Sequence, residues 1–270
     1  MCLQTPTQYT DQIGRSVSVP EQPKKIISLV PSISELLWDL GLEERMVGIT
    51  KFCIHPNKMY RTIERVGGTK KIHHNRIDDL NPDLIIANKE ENTRPMVEKL
   101  EKKYPVWVSD VNDFPSAMKM IENLGTICGV EENATELIRK IKAKRSKWKE
   151  KASSGKKPRV IYLIWRDPWM VVAGDTFVHE MLNEAGYTNA FKDSSRYPKC
   201  SMEDMKQLNP DYLFLSSEPY PFKEKHIAEL TGVLPEAKIV LVDGELFSWY
   251  GSRLLRSYDY FDNLRSRIAF

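Results

Sequence analysis

The sequence predicts an α/β protein of two lobes, each with a mainly parallel sheet, joined by one long helix. Three observations predict this fold class: short apolar runs alternate with helical patterns, one eight-residue phrase occurs in both halves, and a long charged helical stretch separates the halves. The 270 residues suffice for two lobes of roughly 110 to 130 residues each. We place the first lobe at 1–112, the connecting helices at 113–154 and the second lobe at 155–270.

The first lobe opens with an apolar strand that runs into a helix. Pro31 and Ser32 follow this strand as a helix start, and Gly41 ends the helix. Further apolar runs recur with helical segments between several of them, which favours a doubly wound parallel sheet. The predicted strands of this lobe are 25–30, 46–50, 83–87 and 105–108.

Two helices follow the first lobe. Phe114 and Pro115 open a helix that runs to about Cys128, and residues 131–152 form a second helix rich in charge. At 1.5 Å per residue the second helix is about 33 Å long, which is enough to connect two lobes. The alternative is a surface helix packed on one domain. We favour the connecting helix because strand signals restart directly after it.

The second half repeats the organisation of the first. Residues 77–84 and 205–212 each read as a short helix, an Asn-Pro turn and the start of an apolar strand, in the same order. This repeat predicts two related lobes. In the second lobe we predict strands at 159–164, 212–215 and 238–242, a helix at about 176–185, and a final helix after Arg253.

Composition excludes several classes of protein. The chain is 41% hydrophobic and 29% charged, with a mean hydropathy of −0.45, which is typical of a globular protein in water. Forty basic and 37 acidic residues give a formal net charge of +3, too little to indicate nucleic acid as a partner. Cys2, Cys53, Cys128 and Cys200 lie far apart, so no Cys-x-x-Cys motif is present.

The N-terminal residues carry no apolar stretch of the roughly 7 to 15 residues that a secretory signal needs. As written, the chain is therefore expected in the cytoplasm, unless a leader has been removed.

Several segments, in their order along the chain, make the sequence resemble the helical-backbone (class III) substrate-binding proteins of ABC importers. This family includes the vitamin B12 and iron-siderophore receptors. The segments are 26–32 with Glu35 and Leu36, the two Leu-Asn-Pro-Asp phrases, the central helix, and 247–253. The resemblance covers nearly the whole chain. It implies two Rossmann-like lobes joined by a rigid helix, an extracytoplasmic location, a monomer, and a small-molecule ligand held in the cleft between the lobes.

The resemblance also implies roles for single residues. Members of this family present one glutamate on each lobe to an ABC permease, and Glu203 fits that role in the second lobe, whereas the matching position of the first is Asn75. Phe52 and Tyr197 occupy places where the B12 receptor has aromatic side chains, but two of its tryptophan positions are Thr69 and Asn88 here.

Candidate ligand-binding residues also follow from a rule that needs no family. Open α/β sheets bind ligands beyond the carboxyl ends of their strands. Together with the resemblance, this rule selects Ser32, Phe52, Cys53, His55, Asn88 and Glu90 in the first lobe and Trp165, Arg166, Trp169, Tyr197, Glu245, Trp249, Tyr250 and Arg253 in the second.

The aromatic and basic candidates have alternatives. Trp165, Trp169, Trp249 and Tyr250 could stack on a planar ligand or chelate, or some of them could fill the core below it. Arg166 and Arg253 could clamp a carboxylate or phosphate. Alternatively, they form salt bridges to Glu90, Glu91 or Glu245.

Cys53 and His55 could point the same way on an extended loop and reach a soft metal or a cobalt or iron centre. Two such residues lack the further ligands of a zinc site, and we assign no metal site to the chain.

Catalytic motifs are missing from the sequence. It has no G-x-G-x-x-G after a strand, no Walker A phrase and no G-x-S-x-G elbow, so we predict that the chain is not an enzyme. We expect a solute-binding protein that captures cobalamin, haem or a ferric siderophore for ABC import. It would have no covalent cofactor, and any cobalt or iron would arrive within the ligand. The alternative is a cytosolic metallochaperone or enzyme on the same scaffold.

Overall fold

The computed structural model describes residues 6–152 and 157–268 and divides the chain into two compact units. The first unit holds the residues up to Val111, with Pro115–Lys142 and Tyr250–Arg253. The second holds Asn112–Phe114, Ala143–Trp249 and the residues from Leu254 onward.

A five-stranded parallel sheet forms the centre of the first unit, in the order β5-β4-β3-β6-β7. Its strands lie within one or two residues of the predicted ones, except for β5, which the sequence did not predict. In chain order the elements up to its last strand are β1 (Thr7–Thr10), β2 (Ser16–Val19), β3 (Ile26–Ser28), α1 (Pro31–Asp39), a 3₁₀ turn (Glu43–Arg45), β4 (Met46–Ile49), α2 (Asn57–Thr62), β5 (Glu64–Arg65), α3 (His74–Leu80), β6 (Leu84–Asn88), α4 (Arg94–Leu100) and β7 (Val106–Ser109).

The hairpin of β1 and β2 was not predicted, and its turn covers the edge strand β7. The buried Asp11 carboxylate accepts a hydrogen bond from the Arg15 backbone at 2.8 Å and organises the turn. The Gln12 backbone N–H then donates to the Val108 carbonyl at 3.1 Å, and the Arg15 guanidinium donates to the Val106 carbonyl at 3.1 Å. The turn therefore occupies carbonyl groups that an open sheet edge would expose.

The second unit is built on a similar sheet in the order β10-β8-β11-β12, in which all neighbours are parallel, with β9 antiparallel to β8. The two α/β units with mainly parallel sheets and the long helix α6 confirm the predicted fold class. The remaining elements are α5 (Phe114–Cys128), α6 (Glu131–Ala152), β8 (Arg159–Trp165), β9 (Met170–Val171), α7 (Phe177–Glu184), β10 (Thr188–Asn189), α8 (Met202–Leu208), β11 (Tyr212–Ser216), α9 (Glu224–Thr231), β12 (Lys238–Val242), α10 (Glu245–Ser248) and α11 (Leu254–Ile268).

The repeated Asn-Pro-Asp phrase performs the same task in both units. Asn81 ends α3 and Asn209 ends α8, each in the left-handed conformation that asparagine tolerates better than most residues. Two residues later the Asp83 carboxylate accepts from the Lys24 and Lys25 backbone N–H groups, just ahead of β3. The Asp211 carboxylate accepts from the backbone N–H of Arg159, the first residue of β8. The phrase thus ends a helix and holds the start of the neighbouring strand.

The C-terminal half of α6 belongs to the second unit, where it is held by the end of α7. The Trp148 indole is buried and donates to the Glu184 carbonyl at 2.6 Å, while Arg145 makes two hydrogen bonds to the Glu184 carboxylate at 2.8 and 2.9 Å. Burial alone would raise the pKa of Glu184. Hydrogen bonds from Arg145 and Lys149 outweigh burial and hold this pKa below its usual value.

Replacing this carboxylate should destabilise the second unit. We expect Glu184→Gln to lower the free energy of unfolding at neutral pH by about 1 to 3 kcal/mol, because it leaves Arg145 without its buried counter-charge. The lowered pKa means that the carboxylate contributes fully at neutral pH and loses its contribution as the pH falls below the ordinary glutamate pKa of about 4.3, so the difference between the variant and the wild-type protein should shrink in that acidic range. Urea denaturation at several pH values measures this difference.

The matched control is Glu136→Gln. It breaks an exposed ion pair between Glu136 and Arg139, both on α6, and should leave the urea midpoint unchanged. Equal midpoints for the two variants at neutral pH would contradict the role assigned to Glu184.

No helix among residues 6–152 and 157–268 is both long enough and apolar enough to cross a membrane.

Candidate functional site

Several predicted site residues of the first unit lie at the carboxyl edge of its sheet. Ser32 follows β3, Phe52 follows β4, and Asn88 is the last residue of β6, with Glu90 just beyond it. Of these side chains, Phe52 is the exposed one, with 49% of its surface in water. It is therefore the side chain of this set that is best placed to meet a ligand directly.

Asn88 and Ser32 are buried, and Asn88 shapes the loop that follows its strand. The Asn88 side-chain oxygen accepts from the backbone N–H groups of Glu90 and Glu91 at 2.8 and 3.0 Å, and its nitrogen donates to the Ser109 hydroxyl at 3.0 Å. Burial and the neighbouring Glu90 raise the pKa of Glu91, and Lys70 partly opposes them. Asn88 thus acts on the position of the two glutamates through its amide group.

The Cys53 thiol lies in a buried cluster of hydroxyl groups. Its Sγ is 3.1 Å from the Ser34 Oγ and 3.1 Å from the Thr50 Oγ1, and Ser34 donates to Ser28 at 2.8 Å. His55 is only half-buried, so the two side chains do not share one exposed face. The described residues contain no group of three or more His, Cys, Asp or Glu side chains that could hold a metal ion.

The segment Tyr250–Arg253 lies with the first unit, although the sequence analysis placed it in the second lobe. The reason is a buried ion pair, in which Arg253 Nε and Nη2 donate to the two carboxylate oxygens of Glu35 on α1 at 2.7 and 2.8 Å. Both side chains are 5% exposed. Glu35 was not among the carboxylates considered as partners of Arg253 from the sequence.

This segment also places Tyr250 in the first unit. Gly251 has a φ of +106° and packs so closely on Leu36 that an added Cβ would lie 3.3 Å from the Leu36 Cβ. Tyr250 is buried, and burial together with the nearby Glu91 raises the pKa of its hydroxyl. The segment therefore brings a phenol close to the loop that follows β6.

In the second unit an aromatic group surrounds the carboxyl end of β8. Trp165 is 40% exposed and meets Tyr220 edge to face, with 5.7 Å between ring centroids. Trp169 stacks on Phe222 at 6.1 Å, with 5° between the planes. Phe222 was missed from the sequence, although the alternating aromatic residues at 220 and 222, in the loop that follows β11, were a usable signal.

Arg166 lies among these rings and is paired with carboxylates. Its guanidinium is 5.5 Å from the centre of the Trp169 ring and pairs with Asp167 at 2.9 Å and with Glu229 at 2.8 Å. The hydrogen bond that Arg166 donates to the Glu229 carboxylate raises the pKa of Arg166. A ligand carboxylate would have to compete with these two partners.

The other predicted residues of the second unit have varied surroundings. Trp249 is buried and donates its indole N–H to the Glu218 carboxylate at 3.0 Å, which matches the alternative of a core position. Tyr197 is half-buried beside Arg196, whose guanidinium lies 5.8 Å from its ring, and Glu245 is the first residue of α10.

The two positions compared for permease docking are equivalent in the fold. Glu203 is the second residue of α8, and Asn75 is the second residue of α3. Both are exposed. The two positions that the resemblance pairs therefore occupy the same place in their helices.

Comparison with known proteins identifies the family. A sequence model described as periplasmic binding protein matches residues 26–232. The ABC transporter substrate-binding lipoprotein YvrC of Bacillus subtilis is 28% identical over 94% of this chain and 83% of that protein. A vitamin B12-binding protein of Vibrio campbellii is 28% identical over 80% of this chain and 78% of its own length.

Solved structures share the fold. The periplasmic vitamin B12 binding protein BtuF of Vibrio cholerae superposes with a TM-score of 0.80 at 21% identity, over 92% of this chain and 98% of that one. The periplasmic haem-binding protein BhuT, in complex with two haems, gives a TM-score of 0.80 at 20% identity, over 91% and 99% of the two chains.

The chain belongs to the periplasmic binding protein family, because the family match covers well over half of its length. The resemblance seen in the sequence is thereby confirmed. The family consists of solute-binding proteins, and the chain is accordingly not an enzyme, as predicted. Nothing in these comparisons supports the alternative of a cytosolic metallochaperone or enzyme.

Breaking the Glu35–Arg253 pair should cost much of the stability of the first unit. We expect Glu35→Ala to lower the free energy of unfolding by about 3 to 5 kcal/mol, since it removes the carboxylate that accepts two hydrogen bonds from the buried Arg253. The double variant Glu35→Leu with Arg253→Met should recover most of that loss, because both charges leave together. Urea denaturation of the three proteins measures the difference, and a single variant as stable as the wild type would refute this role.

The buried thiols should be unreactive in the folded protein. Burial raises the pKa of the Cys53 thiol, and hydrogen bonds with Ser34 and Thr50 oppose this rise only in part. Burial also raises the pKa values of Cys128 and Cys200, to about 12. In a Cys2→Ser background, a disulfide reagent should label no thiol quickly near neutral pH, but should label all three described cysteines in denaturant. Fast labelling that disappears in a further Cys53→Ala variant would instead place Cys53 at the surface.

Proposed function

We propose that the chain captures a metal chelate or corrinoid-like ligand, of the cobalamin, haem or ferric-siderophore class, for ABC-type import. The observation that carries this proposal is the exposed aromatic side chain at the carboxyl end of each sheet, Phe52 in the first unit and Trp165 in the second. Relatives named for vitamin B12 and a fold neighbour named for haem support the same classes of ligand.

An exposed aromatic ring is well suited to such a ligand. Large rings offer apolar contact area with few rotatable bonds to immobilise, and chelates and macrocycles present wide, rigid surfaces. Tyr220 packs edge to face against Trp165, and Trp169 stacks on Phe222 nearby. Neighbouring aromatic side chains therefore support the exposed Trp165 ring. Ser32, Asn88 and Tyr250 are buried at the edge of the first sheet. They would affect ligand binding indirectly, by determining the shape of the loops there.

An ABC permease is the proposed protein partner. Glu203 is exposed in the first turn of α8, where a carboxylate can reach a basic residue of another protein. Asn75, at the equivalent position of α3, has no charge, so docking through this pair of positions would rely on Glu203 in the second unit.

The proposed setting is outside the cytoplasmic membrane, in line with relatives named as periplasmic or as a lipoprotein. We propose a monomer that needs no covalent cofactor, with cobalt or iron entering only as part of the ligand.

Calorimetric titration with cyanocobalamin, haemin and two ferric siderophores tests the proposal, with tryptophan fluorescence as a second signal. We expect at least one chelate to bind at micromolar concentration or below, and Trp165→Ala to weaken that binding about tenfold through lost stacking area. The control Ile13→Ala removes another exposed apolar side chain, 40% exposed on the β1–β2 turn, and should bind as the wild type does. Absence of heat and of quenching with every chelate would contradict the proposal.

A further inference from the structure

The loop that follows β4 and the turn of residues 67–71 form an exposed basic and aromatic surface on the first unit. We define this lysine–phenylalanine surface by Lys51, Phe52, Lys70 and Lys71. All four side chains are exposed, and the Lys51 Nζ lies 5.0 Å from the centre of the Phe52 ring. Lys51 and Phe52 follow β4, where the strand-end rule places candidate residues, whereas Lys70 and Lys71 were not selected from the sequence.

The backbone holds this surface in one arrangement. The Lys51 N–H donates to the Gly67 carbonyl and the Gly68 N–H donates to the Lys71 carbonyl, both at 2.7 Å. Gly68 lies against the Phe52 ring, where an added Cβ would come within 3.3 Å of the ring. The turn is therefore fixed to the loop that carries Phe52.

The same turn is tied to the loop that follows β6. The Asn92 side chain donates to the Thr69 carbonyl at 2.9 Å, and the Lys70 ammonium donates to the Glu90 carbonyl at 2.5 Å. Lys70 also lies near enough to Glu91 to lower its pKa in part. Lys70 is thus engaged with the acidic loop, whereas Lys51 and Lys71 remain available to a ligand.

The charges of Lys51 and Lys71 are not compensated nearby. Within residues 6–152 and 157–268, neither of them forms an ion pair with a carboxylate, whereas Lys89, Lys103 and Lys119 each do. The stretch 51–76 contains seven Lys and Arg residues and one acidic residue, Glu64. Because the whole chain has a net charge of only +3, the residues outside this stretch sum to a net negative charge, although residues 139–151 of α6 form a second basic stretch.

We infer that the ligand is an anionic chelate, and that Lys51 and Lys71 bind its carboxylate or phenolate groups while Phe52 contacts its apolar face. This inference rests on the proposed function and narrows it, since it favours a haem or an anionic siderophore complex over a neutral corrinoid. Ammonium groups around an aromatic face attract a ligand that combines negative charge with a flat or apolar surface.

Four chelates of different charge distinguish a preference for anionic ligands from the capture of any chelate. Haemin and a ferric tris-catecholate complex are anionic, whereas cyanocobalamin and a ferric tris-hydroxamate of the ferrichrome type carry no net charge. We expect an anionic chelate to bind at least about tenfold more tightly than the neutral ones. That preference should fall between about 0.1 M and about 1 M salt, as the Debye length drops from about 10 Å to about 3 Å.

Charge-removing variants locate the effect. Lys51→Gln and Lys71→Gln should each weaken binding of the anionic chelate about fivefold, through the loss of one charge-assisted hydrogen bond. Neither should change the binding of a neutral chelate. The matched control Lys225→Gln, on α9 of the second unit, removes an equal charge from an exposed position and should change neither.

Tight, salt-independent binding of a neutral chelate that is unchanged in both lysine variants would overturn this inference and leave the proposed function intact. Binding of none of the four chelates would contradict the proposed function and the inference together.

Discussion

The buried pair between Glu35 and Arg253 is the interaction on which the arrangement of the first sheet edge depends. It joins residues 218 positions apart, with both side chains 5% exposed and two hydrogen bonds of 2.7 and 2.8 Å. A charge so far from water is tolerated only when it has a well-placed partner. The pair therefore holds the segment Tyr250–Arg253 against α1. This position brings Tyr250 close to the loops that follow β6 and β7.

Exposed and buried aromatic residues have different tasks in this chain. Trp165 and Phe52 present much of their surface to water, whereas Trp249 is buried and satisfies its indole with Glu218. Trp169 is half-buried and stacks on the buried Phe222 beside the exposed ring. The contrast explains why we propose Trp165 and Phe52 for ligand contact, although several tryptophans follow strands in the sequence.

Much of the fold could be predicted because its signals are local. Each long strand is a continuous apolar run, and the Asn-Pro-Asp phrases mark the same helix end and strand start twice, through the left-handed Asn81 and Asn209. The short β5 and the β1–β2 hairpin lack such runs, and their positions depend on tertiary hydrogen bonds. At the candidate site, the sequence could select strand ends but not the partners of each side chain. The engagement of Arg253 by Glu35 and the burial of Cys53 are contacts between distant segments, which local patterns do not encode.

The turn of the β1–β2 hairpin has a consequence for how the protein behaves among many copies of itself. Backbone groups of β7 that could pair with a strand of another molecule are already occupied by Asp11, Gln12 and Arg15. The opposite border of the sheet is β5, which is only two residues long. One edge of this sheet is covered, and the other is too short to act as a template. The first unit therefore resists the strand addition that starts β-aggregation in a crowded compartment.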